Sequence, residues 1–176
     1  MAKIKFRRIS IIIDIILGII FHFTYEWSNK NSFVALFSAV NESTWEHLKL
    51  VFFPILITSI IGYIFIKNEI SNYWCSRLFG IIAAMLFIVI AFYTYTGVIG
   101  TNFAIINILI FIIAVIIGEW ISYLKMSKNK KCNNKNAIII ILVLLILFII
   151  FTFMPPEINL FKDPITGDFG INNIYK

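Results

Sequence analysis

Long apolar runs separated by short polar clusters dominate this chain, and with a window of about 19 residues five of them stand out, at 9–25, 45–66, 77–98, 103–124 and 137–154. A hydrocarbon layer of ~30 Å takes ~20 helical residues to cross. Lipid offers no partner for backbone groups, so a spanning segment must close its own hydrogen bonds. The pattern therefore predicts an all-α, polytopic integral membrane helix bundle with five transmembrane helices. The basic start MAKIKFRR ahead of the first run resembles a signal peptide, but Asp14 interrupts the run and no small-x-small cleavage site follows. That run is expected to stay as a helix. The last run stops at Pro155-Pro156, whose rings remove donors and clash with the preceding turn. The expected organisation is a transmembrane domain over 1–154 and an extracytoplasmic C-terminal tail over 155–176.

Charge gives the runs a direction. With the N-terminus inside, the cytoplasmic segments hold Lys3, Lys5, Arg7, Arg8, Lys67, Arg77, Lys125, Lys128, Lys130, Lys131 and Lys135, 11 bases against the single acid Glu69. The opposite side holds Lys30, Lys49, Lys162 and Lys176 against Glu26, Glu42, Glu46, Glu157, Asp163 and Asp168, a net of −2. Adding +10, −2 and the −2 of Asp14 and Glu119 within the spans returns the net charge of +6. The positive-inside rule then places the N-terminus inside and the C-terminus outside. It also redirects the pI of 9.4. Short basic loops facing an anionic leaflet account for it, so anionic lipids at the loop from Lys125 to Lys135 are the expected partners and nucleic acid is not.

Composition agrees, with 60% hydrophobic and 14% charged residues against roughly 45–50% and ~25% in soluble domains. A cytosolic globular protein, a disordered chain and a disulfide-stapled secreted module are excluded. Isoleucine fills 41 positions, the mark of an AT-rich genome, and a bacterial cytoplasmic membrane is the expected location. Cys75 and Cys132 both fall on the cytoplasmic side, where reduced thiols are expected.

Polar groups inside the runs are the candidate chemistry. Asp14 and Glu119 share a depth near the cytoplasmic boundary. Such residues usually face protein or water and have a partner, here a base such as Arg7, Arg8, Lys67 or Arg77; alternatively they form a proton-carrying pair in a transporter. The outer ends of the first two helices are richer. In GIIFHFTYEW, His22 and Glu26 lie four residues apart on one face, and NESTWEHLK places Glu42, Glu46, His47 and Lys49 within two turns.

If those helices pack, His22, Glu26, Glu46 and His47 converge below the outer surface. Two imidazoles and carboxylates suit zinc or another divalent metal with an open position for water. Without metal they form an acid/base centre. Asn41, Glu42, Trp45 and Lys49 would form the rim. The competing structural reading has Ser43-Thr44-Trp45-Glu46 as a capping box within an aromatic belt. Tyr93 to Thr96, Thr101, Asn102 and Asn107 can add hydrogen-bonding groups. The segment 31–40 is expected to be interfacial or re-entrant, and the apolar residues of PPEINLFKDPITGDFGINNIYK suggest a tail docked over the outer face.

HFTYEW, VNESTWEHLKLVFFP and the FKDPITGDFGI tail together resemble an uncharacterised, domain-of-unknown-function family of small integral membrane proteins with similar HFxYEW and NESxWEH segments. The resemblance implies a class and no mechanism. Three functions follow as expectations. The first is an outer-side pocket binding or processing a lipid-like or small polar molecule; as an enzyme it would be a metal-dependent or acid/base hydrolase or transferase. The second is a small transporter or proton-coupled carrier using Asp14 and Glu119. The third is a non-catalytic accessory subunit.

Overall fold

A computed structural model describes residues 2–66, 69–128 and 132–171. Lys67, Lys130, Lys131 and Lys176, counted above among the bases, lie outside the described residues, as does the middle of the loop from Lys125 to Lys135. Among the described residues the fold has five long helices: α1 (Ala2–Trp27), α2 (Thr44–Ile66), α3 (Tyr73–Ile99), α4 (Ala104–Lys128) and α5 (Asn134–Phe153). No strand occurs among the described residues, where pairing is limited to one isolated bridge between Lys162 and Phe169. Four of the helices, α2 to α5, are long and apolar enough to cross a membrane. Many of their large apolar side chains, such as Phe65, Ile105 and Ile139, face outward.

The chain passes back and forth between two poles. One pole gathers the start of α1 and the connections α2–α3 and α4–α5, where Arg7 stacks over Trp120 and Tyr123 at 4.6 and 4.4 Å. The other gathers the α1–α2 and α3–α4 connections and the tail. The tightest seam joins α3 to α4. Ser76, Gly80 and Ala84 on α3 face Ala114, Gly118 and Ser122 on α4, small residues at four-residue spacing on both helices and all buried. A Cβ on Gly80 would lie 2.6 Å from the Gly118 carbonyl oxygen. Such seams let two backbones approach where lipid supplies no hydrophobic drive between helices.

The 31–40 segment folds as a compact loop around a 3₁₀ turn (Val34–Leu36). The Ser38 hydroxyl donates to the Phe21 carbonyl and accepts from the Tyr25 amide at 2.9 Å, tying the loop to the end of α1. The tail lies across the same pole: the Trp45 amide donates to the Leu160 carbonyl at 3.0 Å and the Ile171 amide to that of Thr152 at 3.2 Å. Phe161 buries its ring against Trp45 and Phe151.

Two sequence expectations need correction. The cysteines are not free thiols: Cys75 and Cys132 form a disulfide with Cα atoms 6.3 Å apart. The start of α5 is pinned beside them, because Asn134 accepts from the Cys75 amide at 3.2 Å and donates to the Ser71 carbonyl at 2.7 Å. Arg77 is likewise not a loop base. α3 starts at Tyr73, one turn earlier than expected, and carries Arg77 fully into the interior.

Candidate functional site: a histidine–glutamate cluster at the tail-covered pole

The start of α2 sets the geometry. Ser43 caps the helix, its hydroxyl accepting from the Glu46 amide at 3.4 Å, while its own amide donates to Asn41 at 2.9 Å. Only half of the predicted capping box forms. The Glu46 carboxylate turns inward, accepting from the Val40 amide at 3.0 Å and pairing with Lys49 at 2.7 Å. The Lys49 ammonium, fully buried, also donates to the Ala35 carbonyl at 2.9 Å and the Ser38 carbonyl at 3.4 Å. Glu46 and Lys49 thus clamp the 3₁₀ loop over the helix ends. They are the scaffold beneath the cluster and not part of it.

What the loop leaves open is a meeting of three side chains. Glu42, the residue before the cap, reaches between His22 of α1 and His47 in the first turn of α2. One carboxylate oxygen lies 3.9 Å from His22 Nε2 and the other 3.4 Å from His47 Nε2. The two rings meet edge to face with centroids 5.4 Å apart, and one ligand atom from each residue falls within 4.8 Å of the others. Around a tetrahedral ion with bonds of about 2.0–2.1 Å, neighbouring donors sit roughly 3.3 Å apart. The His47–Glu42 separation is near that edge length, the His22–Glu42 separation is longer, and both exceed good hydrogen bonds between the same atoms.

His47 is oriented for ligation. Its Nδ1 lies 2.9 Å from the Ser43 carbonyl oxygen, which can only accept, so Nδ1 carries the hydrogen and Nε2 presents its lone pair toward Glu42. A backbone carbonyl fixing the tautomer of a ligating imidazole is a common supporting arrangement at metal sites. Two histidines and one carboxylate leave a further position for water or substrate, the donor set of hydrolytic zinc centres.

Two cavities open from the cluster. A polar one of about 440 Å³ is bordered by His22, Glu26, Lys30, Glu42, Asp163 and Asp168. An apolar cleft of about 60 Å³ runs between α2, α3 and α4, with Glu42 and His47 at its mouth and Leu50, Ile88, Phe92 and Phe111 along its walls. Ile165 of the tail borders both. Asn102 and Asn107 also border the cleft, and Asn107 is held by the Tyr95 hydroxyl.

Of the residues singled out from the sequence, the structure brings His22 and His47 together. It leaves Glu26 on the exposed rim of the polar cavity and places Glu46 in the clamp. Trp45 is buried against Phe148 and Phe161, and Asn41 holds the tail through the Gly170 carbonyl at 3.1 Å. Glu42, expected on the rim, stands at the centre. Asp14 and Glu119 belong to a separate buried network, in which Arg77 pairs with Glu119 at 2.7 Å and Thr58 donates to Asp14 at 2.9 Å.

No curated protein and no solved structure matches the chain. Residues 1–171 match a family described as of unknown function, in keeping with the resemblance to an uncharacterised family. The match spans nearly the whole chain, which belongs to that family of unknown function, DUF6512.

Proposed function

We propose that this protein is a five-span membrane protein that holds a divalent metal between His22, Glu42 and His47 and uses it to bind or hydrolyse the polar end of a membrane-resident amphiphile. The convergence of these three side chains, with the His47 tautomer set by Ser43, is the observation that carries this reading. A metal in that position polarises an ester or phosphoester oxygen and lowers the pKa of a bound water toward ~7. The apolar cleft suits a hydrocarbon chain and the polar cavity a headgroup, the two meeting at Glu42. Glu26, on the same helical face as His22 and bordering the same cavity, would be the base for a metal-bound water.

Support for α1 as a fifth span comes from its length and outer surface. Its 26 residues extend ~39 Å at 1.5 Å each, and Ile9, Ile12, Ile16, Ile19 and Phe23 form an exposed apolar stripe. The basic pole then faces the cytoplasm and its anionic leaflet, and the cluster and tail face outward.

Metal analysis of detergent-purified protein tests the reading. About one equivalent of a divalent transition metal is expected in the wild type, lost in His22→Ala and in His47→Ala and strongly reduced in Glu42→Gln. Wild-type protein that takes up less than about a tenth of an equivalent after incubation with zinc overturns it.

A further inference from the structure

A second polar constellation lies at the other end of the bundle, independent of the metal reading. Arg77 of α3, Glu119 of α4 and Asp14 of α1 are all within 1% of full burial, joined by Thr58 and Ser59 of α2 and Ser122 of α4. Tyr73 stands beside them, donating from its hydroxyl to the Ser59 carbonyl at 2.7 Å. Beyond Lys135 at its entry, α5 carries no charged residue. Two carboxylates and one guanidinium leave one unbalanced negative charge in the dry interior.

The hydrogen-bond inventory comes up short by the same amount. A guanidinium has five N–H donors, and Arg77 uses every one. Nε donates to Ser59 Oγ at 2.6 Å. Nη1 donates to Glu119 Oε2 at 2.9 Å and Ser122 Oγ at 3.4 Å. Nη2 donates to the Ile55 carbonyl and Thr58 Oγ1, both at 3.2 Å. The Thr58 hydroxyl hydrogen serves Asp14 Oδ1. One buried oxygen of the pair is left with no partner, Asp14 Oδ2. Glu119 Oε1 lies 2.7 Å from Nη2 and completes the ion pair with Arg77. Asp14 and Glu119 are near enough for the two carboxyl groups to interact electrostatically.

We infer that Asp14 and Glu119 form a binding site for a single proton, shared by the two carboxyl groups and held beside Arg77. One proton supplies the donor missing at Asp14 Oδ2 and brings the cluster from −1 to neutral. A sodium ion would cancel the charge equally well. It needs several oxygen ligands around it, and the oxygens of Ser59, Thr58 and Ser122 are already engaged with Arg77. The bound proton joins α1 to α4, and its release sets two carboxylates against each other across that interface.

Infrared spectroscopy of the full chain in detergent at neutral pH, in H₂O and D₂O, tests the site. The expected result is a protonated-carboxyl carbonyl band that moves to lower frequency in D₂O and is lost in both Asp14→Asn and Glu119→Gln. Each amide supplies the donor the proton supplied and restores charge balance, so both variants are expected to melt with the wild type. If neither variant can be purified, ¹³C-carboxyl labelling of aspartate or glutamate in the wild type is expected to shift the same band. Absence of the band from the wild type, its survival in both variants, or its insensitivity to either label overturns the inference. So does loss of the band when sodium replaces choline at constant pH and ionic strength, which assigns the site to a sodium ion.

Discussion

The two polar centres of this protein are built from the same kinds of side chain and held in opposite ways. The His22–Glu42–His47 cluster is partly exposed, its side chains retaining 24–40% of their accessible surface, and its members approach without good direct hydrogen bonds. The Asp14–Arg77–Glu119 network is closed to solvent, saturated with hydrogen bonds on its basic side, and wedged between helices at a small-residue seam. An open cluster with unmet ligands is arranged to receive something from outside. A closed one with a fixed charge count is arranged to hold the helices, and its own proton, in one configuration. The difference teaches that burial separates the two roles more sharply than residue type does.

The strongest way to break that contrast is to remove Arg77. Arg77→Met leaves the buried, singly charged Asp14–Glu119 pair without its counter-charge, and stripping one partner from a buried ion pair typically costs 3–5 kcal/mol. Large loss of folded protein is expected in thermal or denaturant unfolding in detergent, with much of it recovered in the Arg77→Met, Glu119→Leu double variant. A smaller change keeps the charges and disturbs their frame. Gly118→Val puts atoms against the Gly80 carbonyl and the Ala84 methyl, and overpacking of this kind costs ~1–3 kcal/mol, read as a lowered melting midpoint.

At the open cluster the stability effect is expected to be smaller still and the functional effect total. His22→Ala or His47→Ala is expected to alter metal-free stability by less than ~1 kcal/mol, as for partly exposed positions away from core packing. Added zinc stabilises only the wild type, by ~2.7 kcal/mol at a hundred times the dissociation constant. A His22→Ala variant that melted like Arg77→Met would erase the distinction between the centres. The mildest test concerns orientation alone. In intact cells treated with a permeant reductant that opens the Cys75–Cys132 disulfide, a membrane-impermeant maleimide is expected to leave both cysteines unlabelled, and a permeant one to label both; labelling by the impermeant reagent would invert the placement of both poles.

The helical frame was legible because lipid allows few alternatives: helix boundaries fall within a few residues of the apolar runs for α2 and α5, and the ends of α1 and α4 extend further into polar sequence. The seam was written as plainly, in Ser76-Gly80-Ala84 and Ala114-Gly118-Ser122, but isoleucine-rich hydropathy averages hide a four-residue spacing of small side chains. Arg77 was weighed as one of several bases near Glu119; what the sequence did not show was that α3 begins a turn early and so draws the guanidinium inside. Glu42 was misplaced for a different reason. Helical phase relates residues within a helix, and Glu42 precedes the cap at Ser43, where the backbone has left the helical path. Its reach is decided by the loop that Glu46 and Lys49 clamp, a tertiary arrangement with no periodic signature.

Synthesis on a ribosome gives the Arg77–Glu119 pair a further meaning. The two residues are 42 positions apart, so the arginine emerges well before the acid that neutralises it. A lone guanidinium in hydrocarbon is expensive, and α3 therefore gains nothing by leaving the insertion machinery on its own. The two helices are expected to partition into the bilayer together, as a hairpin zipped along glycine and serine. One ion pair thereby sets the order in which the membrane receives the chain.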